Sequence, residues 1–157
     1  MTFTTYAERV STLLQTLDKA EVEGLVEALY DTYAAGSTVF IIGNGGSGAN
    51  ASHLCEDLGK GTVSDPQAAK RLKVISLTDN VPYILAWAND HSFECIFTEQ
   101  LRNLAGPGEL LIAISASGNS PNILHAVEYA NGAGLRTFGV TGLDGGRLLG
   151  LARESLY

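Results

Sequence analysis

Apolar and polar positions follow two different periods along this chain. Between Thr5 and Leu17 the apolar side chains Val10, Leu13, Leu14 and Leu17 recur at helical spacing. From about Ala20 to Ala34 the residues Val22, Leu25, Val26 and Leu29 do the same, with Gly36 just past the end. The pattern then changes to short unbroken apolar runs. Thr38 to Ile42, Val74 to Leu77, Glu109 to Ile114 and Arg136 to Val140 predict buried strands, and Ser155 to Tyr157 opens a fifth. Helical spacing returns between the runs, over Gly48 to Leu58 with Gly59 as its cap, Val81 to Ala88, Ser92 to Leu104 and Pro121 to Tyr129. Asn89-Asp90 interrupts the second and third of these, and Leu143 to Leu151 forms a short turn and helix. Lys60 to Arg71, polar and broken at Gly61 and Pro66, reads as a surface loop. Strands separated by helices make an α/β chain. Two helices before the first strand exceed what a minimal α/β unit needs, so they pack either on the chain itself or on another subunit. A last strand without a return helix is expected to leave one sheet face open.

The turns after the first and third strands carry the chemistry. Gly43-Asn44-Gly45-Gly46-Ser47 joins an apolar strand to a helix. Glycines let backbone N–H groups approach an anion, and the helix N-terminus adds about half a positive charge. An ordinary tight turn is the plainer alternative. Gly43, Gly45 and Gly48 also fit G-x-G-x-x-G, but the acidic residue of a dinucleotide site is poorly met. Asp65 lies in a loop, and Asp79 follows the second strand only after an overlong unit. A Walker A loop is excluded, because no glycine precedes Gly59-Lys60 at the required distance. A sugar phosphate therefore fits better than a dinucleotide or ATP. Ser115-Ala116-Ser117-Gly118-Asn119-Ser120 repeats the device, with Ser120 as N-cap and Pro121 at the first helical position. Its hydroxyls and loop amides make an anion cradle without a cation.

Composition narrows the partners. The chain has 157 residues, 45% of them hydrophobic, enough for one globular domain with a real core. A formal charge of −7 argues against nucleic acid or an anionic membrane as partner. No apolar run reaches the ~18 residues of a membrane span, and Met1-Thr2-Phe3 does not open a signal peptide. Cys55 and Cys95, the 2 cysteines, form neither a metal-like spacing nor a disulfide framework. They are expected to be reduced core thiols in a cytoplasmic protein.

GNGGS at Gly43–Ser47, His53 four residues before Asp57, Asn89-Asp90, and S-x-S-G-N-S at Ser115–Ser120 together resemble the SIS (sugar isomerase) domain. Within it the chain most resembles the sedoheptulose 7-phosphate (phosphoheptose) isomerases, over essentially its whole length. The resemblance implies an α/β fold: a doubly wound open parallel sheet sandwiched by helices, flavodoxin-like in three layers. It would form a single domain over 1–157, with a helical part at 1–36 and an α/β core at 37–157. It also implies a homo-oligomer, a tetramer or a dimer, acting on a sugar phosphate. Ser115, Ala116, Ser117 and Ser120 match the phosphate loop, Ala116 standing where threonine is usual. Asn44, Gly45, Gly46 and Ser47 match the sugar-contacting loop, and Asn89 and Asp90 match the pair that meets the sugar chain. His53 matches a position that binds zinc in some members, and Asp57 matches an acid/base glutamate that can share the metal. The family's final helix, with its glutamine and catalytic histidine, has no counterpart in the sequence; His91 and His125 do not match it. This implies either a partial chain or a relative without the full isomerase machinery, which binds the sugar phosphate but isomerises it slowly or not at all.

The residues themselves support part of that chemistry. Interconverting a ketose and an aldose needs a base to move a proton between adjacent carbons and an acid to polarise the oxygens. His53 and Asp57 share one helix face behind the glycine loop, whereas Glu56 is expected to point roughly 100° away. A surface i,i+4 pair worth a few tenths of a kcal/mol is the plain alternative. Two ligands are too few for zinc without others from elsewhere. Three functions thus stand: an isomerase working through an enediol with no required cofactor beyond zinc in some members; a non-catalytic SIS module that binds a phosphosugar or a protein partner, as relatives binding a replication initiator do; and a nicotinamide-dependent enzyme.

Overall fold

The apolar runs assemble into one parallel sheet. In the computed structural model, which describes residues 1–67 and 70–157, β1 (Thr38–Gly43), β2 (Lys73–Ser76), β3 (Leu110–Ser115), β4 (Arg136–Thr141) and β5 (Glu154–Leu156) pair in the order β2-β1-β3-β4-β5. Every pairing is parallel. Parallel neighbours need crossovers, and the helices supply them: α3 (Gly45–Glu56), α4 (Val81–Asp90), α5 (Thr98–Leu104), α6 (Pro121–Gly132) and α7 (Gly146–Leu151), after α1 (Phe3–Thr16) and α2 (Lys19–Ala35). This is the doubly wound flavodoxin-like order, and its direction reverses between β1 and β3.

Strand periodicity divides the core in two. Phe40, Ile42, Leu111 and Ala113 face α5, α6 and α7, while Val39, Ile41, Leu110, Ile112 and Phe138 face α2 and α3. The register sets Gly43 beside Ile114, so the turns that leave β1 and β3 start level at one edge of the sheet. Gly43 must be glycine, because a Cβ there would lie 2.5 Å from the Ser47 backbone.

Several local expectations change. The helix after β1 starts at Gly45 rather than Gly48, and it runs into a π-helical turn, Asp57–Gly61. Gly59 is therefore no left-handed cap; it sits inside that turn, where a Cβ would come 3.1 Å from Val74 Cγ1. Asn89-Asp90 does not interrupt a helix but forms the last turn of α4. The single helix expected over Ser92 to Leu104 is a 3-10 turn, Phe93–Cys95, followed by α5. Ile96 and Phe97, between the two, are both buried. Part of the loop expected over Lys60 to Arg71, residues 68 and 69, lies outside the described residues. The sheet face beside β5 is not open along its length, since α2 packs across it. There Arg136 of β4 bonds Glu154 of β5 at 2.6 Å and Asp31 of α2 at 3.2 Å, and the Tyr157 amide donates to Glu21. Leu156, Val140 and Ile114 stay half-buried. The N-terminal helix is different in kind: every residue of α1 is exposed, Leu13, Leu14 and Phe3 to 58%, 65% and 85%.

Candidate functional site

The two strand-end turns, 72 residues apart from Gly43 to Ser115, meet where the strand order reverses, the place where open α/β sheets bind ligands. Two cavities of about 290 Å³ open there and share Asn44. One is walled by Ser47, Ser115, Ala116, Ser117 and Ser120, all five assigned from sequence. The other is walled by Gly45, Ser52 and Thr78 over an apolar floor that includes Ile84 and Phe97. Larger clefts of about 430 Å³ lie beside Tyr33 and between α1 and α2, and neither touches a strand-end turn.

The serine turn is preshaped for an anion. Gly118 N–H bonds the Ser115 carbonyl at 3.0 Å, and Asn119 N–H bonds Ser117 Oγ at 3.3 Å. The Ile123 and Leu124 amides both take the Ser120 carbonyl at 3.0 Å, and Pro121 has no N–H. Among the described residues no protein acceptor meets the amides of Ser117 and Ser120. Ser120 occupies the N-cap position, but its hydroxyl does not cap α6, contrary to expectation; Ser115 Oγ reaches it at 3.5 Å instead. Amides without a protein acceptor, beside hydroxyls with donor capacity left, are what a phosphate needs at a helix start. The turn is braced from behind: Gly146 packs so closely that a Cβ would lie 2.3 Å from the Ser117 carbonyl oxygen. Leu148 N–H donates to the Gly118 carbonyl at 2.9 Å, and Arg147 N–H to Asn119 Oδ1 at 3.1 Å. Leu143, at the rim, is held at positive φ, 54°, although it is not a glycine.

Other assigned residues lie apart from the cavities. Gly46 is exposed and lines neither. Asn89 and Asp90 are exposed at the end of α4, with Asn89 Nδ2 bonded to Asp90 Oδ1 at 2.8 Å, and also line neither. His53 and Asp57 sit at the far end of α3, Nε2 to Oδ2 3.7 Å, with side chains 75% and 61% exposed. Asp57 opens the π-helical turn, a feature frequent at functional sites. Glu56 does reach this pair: ligand atoms of His53, Glu56 and Asp57 all lie within 4.8 Å of one another. The expectation that Glu56 points away fails because its side chain is long and flexible at the exposed helix end. Imidazole plus two carboxylates is a donor set that suits zinc with an open position, although Lys60 Nζ, 4.0 Å from Glu56, competes for that carboxylate.

Several residues at the site were not legible as such. Asn122 of α6 pairs its side-chain amide with that of Asn44. Ser52, Thr78 and Asp79 form a hydroxyl–carboxylate cluster at the end of β2, Ser52 Oγ lying 3.0 Å from Thr78 Oγ1 and bonding Asp79. The Asp79 carboxylate, the acid that a ribose would need, is thus engaged by Ser52 and Thr78. Cys55 is a half-buried free thiol; burial pushes it up, the Ser76 backbone hydrogen bond pulls it down, and the nearby Asp79 charge raises it further. A thiol so raised is inert as a nucleophile at neutral pH. No helix of the described residues is long and apolar enough to cross a membrane.

Residues 2–142 match the family model described as the SIS domain. The phosphoheptose isomerase of Paramagnetospirillum magneticum is 41% identical over 128 residues, covering 82% of this chain and 65% of that relative. The probable phosphoheptose isomerase of Thermoplasma acidophilum is 34% identical over 151 residues, covering 96% of this chain and 81% of that protein. The chain thus spans about two thirds of the first relative's length and four fifths of the second's. The structure of a phosphoheptose isomerase from Francisella tularensis superposes with a TM-score of 0.88 at 28% identity, covering 99% of this chain and 85% of that one.

Proposed function

The chain belongs to the SIS domain family, among the relatives of the phosphoheptose isomerases, and on that premise we propose that it interconverts a ketose and an aldose phosphate of sedoheptulose 7-phosphate type. The observation that carries the reading is the meeting of the Gly43–Ser47 and Ser115–Ser120 turns at the β1/β3 reversal, with unpartnered Ser117 and Ser120 amides facing no protein acceptor. The phosphate is held by Ser115, Ser117 and Ser120 hydroxyls and by loop amides, with α6 adding its N-terminal charge. Asn44 orients the sugar between the two cavities, and the adjoining apolar-floored cavity takes the polyol end.

Isomerisation takes a proton from the hydroxyl-bearing carbon beside the carbonyl and returns one to the former carbonyl carbon, through an enediol. A second proton leaves the hydroxyl oxygen, and another is gained by the carbonyl oxygen. The Asp57 carboxylate is the base that accepts the carbon-bound proton, and His53 beside it holds the proton partner's position. Zinc would be held by His53 and Glu56, with Asp57 able to share it, and would supply Lewis-acid polarisation of the sugar oxygens. His53 and Asp57 lie on α3 roughly 12–18 Å along the axis from Gly45, at 1.5 Å per residue. The pair and the phosphate cradle therefore belong to one site only when the sugar extends toward the end of α3 or a second subunit closes the gap. The exposed stripe of Val10, Leu13, Leu14 and Leu17 on α1 supports such a homo-oligomer.

Binding tests the reading. Ser117→Ala combined with Ser120→Ala should weaken sedoheptulose 7-phosphate affinity by about 1–2 kcal/mol per lost hydrogen bond, measured by calorimetry. Unchanged affinity in the double variant contradicts the phosphate-loop assignment. A second class of reading, a non-catalytic phosphosugar sensor, has in its favour the distance of Asp57 from the cradle; binding without turnover would select it.

A further inference from the structure

Asn44 occupies the N-cap position of α3 with extended backbone, φ −108° and ψ 146°, yet its side chain makes no cap hydrogen bond. An asparagine so placed normally caps its own helix, a contribution of about 1 kcal/mol. Here the side chain reaches 78 positions along the sequence instead. Asn44 Nδ2 donates to Asn122 Oδ1 at 2.8 Å, and Asn122 Nδ2 donates to Asn44 Oδ1 at 2.8 Å. Asn122 is 2% exposed and lines neither cavity, whereas Asn44 lines both. The closed amide pair ties the start of α3 to the start of α6, and so the glycine turn to the serine turn.

The backbone favours one direction for this pair. The Ile123 amide donates to Asn122 Oδ1 at 3.1 Å, and a backbone N–H can only donate. The Ile123 amide, which Asn122 shares with the Ser120 carbonyl, thus favours the oxygen of Asn122 on that side, and Asn44 turns its nitrogen toward the same oxygen. Each Asn44 polar atom spends one bonding direction on Asn122. One amide hydrogen and one oxygen lone pair remain, aimed by a residue that does not itself reach the ligand.

We infer that Asn122 is a positioning residue of the phosphosugar site: acting through Asn44, it locks the two turns at a fixed separation and points the remaining Asn44 amide hydrogen at the junction between the phosphate and polyol ends of the ligand. The inference rests on the phosphosugar reading given above. A phosphosugar bridges both turns and depends on their separation; inorganic phosphate occupies the serine turn alone and does not.

Calorimetry on the full chain with inorganic phosphate and with sedoheptulose 7-phosphate separates the possibilities. The wild type is expected to bind the phosphosugar more tightly than phosphate; equal binding would refute the phosphosugar reading itself, and with it this role for Asn122. Given that preference, Asn122→Ala should leave phosphate affinity within twofold and reduce phosphosugar affinity about tenfold. Asn44→Ala should likewise reduce phosphosugar affinity about tenfold or more, and adding Asn122→Ala to Asn44→Ala should produce no further loss. Three outcomes overturn the inference: phosphosugar affinity within twofold of wild type in Asn122→Ala, a parallel fall in phosphate affinity, or losses that multiply in the double variant. Asn122→Asp, of the same shape, keeps the acceptor for Ile123 but loses the donor to Asn44, and repeats the reading where Asn122→Ala does not fold. Failure of both variants to fold assigns Asn122 to the scaffold and rejects a positioning role.

Discussion

The Arg136–Glu154 pair is a single contact whose contribution depends on pH. Hydrogen bonds from Arg136 hold the Glu154 carboxyl below the usual carboxylate range; partial burial opposes this and the arginine charge adds to it. Because the folded value is depressed, the stabilisation is fully present above the unfolded value of about 4.3. It is lost as pH falls through the folded value. Both side chains keep about a third of their exposure, so screening limits the pair to about 1 kcal/mol. Glu154→Gln should therefore lower the melting temperature at neutral pH, and the difference from wild type should shrink steadily below about pH 4.3. A difference that grows on acidification contradicts the assignment. At this scale the sequence was only partly legible. Ser115, Ser117, Ser120 and Asn44 stood out because two glycine- and serine-bearing turns each join a strand to a helix start, although either alone also reads as an ordinary turn. Asn122 did not, because an asparagine after a proline at a helix start reads as helix-start chemistry. Its partner lies 78 positions away, and nothing local marks the pairing.

At the scale of elements, the serine turn depends on α7 as much as on β3 and α6. Gly146 has φ 53° and sits where a Cβ would be 2.3 Å from the Ser117 carbonyl oxygen. Gly146→Ala must move one turn or the other. Thermal melts should show a loss of at least about 1–2 kcal/mol from left-handed backbone strain, and calorimetry a loss of phosphosugar affinity, although the residue touches no ligand. Wild-type affinity in that variant would show that the brace does not shape the cradle. The strands were readable because their apolar runs are short, are bounded by turn residues and alternate with stretches of helical spacing. Helix ends were less so. The π-helical turn at Asp57–Gly61 cannot be told from an ordinary cap by residue type, since a glycine serves both. The break between the 3-10 turn and α5 carries no residue-type signal, since Phe93, Ile96, Phe97 and Leu101 keep helical spacing across it.

The whole molecule leaves one helix without a partner of its own. Apolar residues of α1 remain exposed along a helical stripe, the surface on which the proposed homo-oligomer would form, since symmetry repeats it on every copy. Light scattering at micromolar concentration should give a multiple of the 16.6 kDa chain mass. Leu14→Glu should shift it toward monomer by placing a charge in the covered stripe; a monomeric wild type removes the assembly from the account. The fold and the meeting of the two turns were legible because the parallel topology forces strand-end turns to one edge. The separation of Asp57 and His53 from that edge was not, since a helix face gives direction but not distance to a cradle built from another crossover. The central claim is that this fold moves a proton on a phosphosugar with Asp57 as base. Proton NMR of sedoheptulose 7-phosphate with the protein in D2O tests it most directly. The account predicts interconversion, however slow, with solvent deuterium entering at the carbon next to the carbonyl, and its loss in Asp57→Asn while phosphate affinity stays within about twofold. Absence of any interconversion in the wild type, or interconversion undiminished by Asp57→Asn, would contradict it.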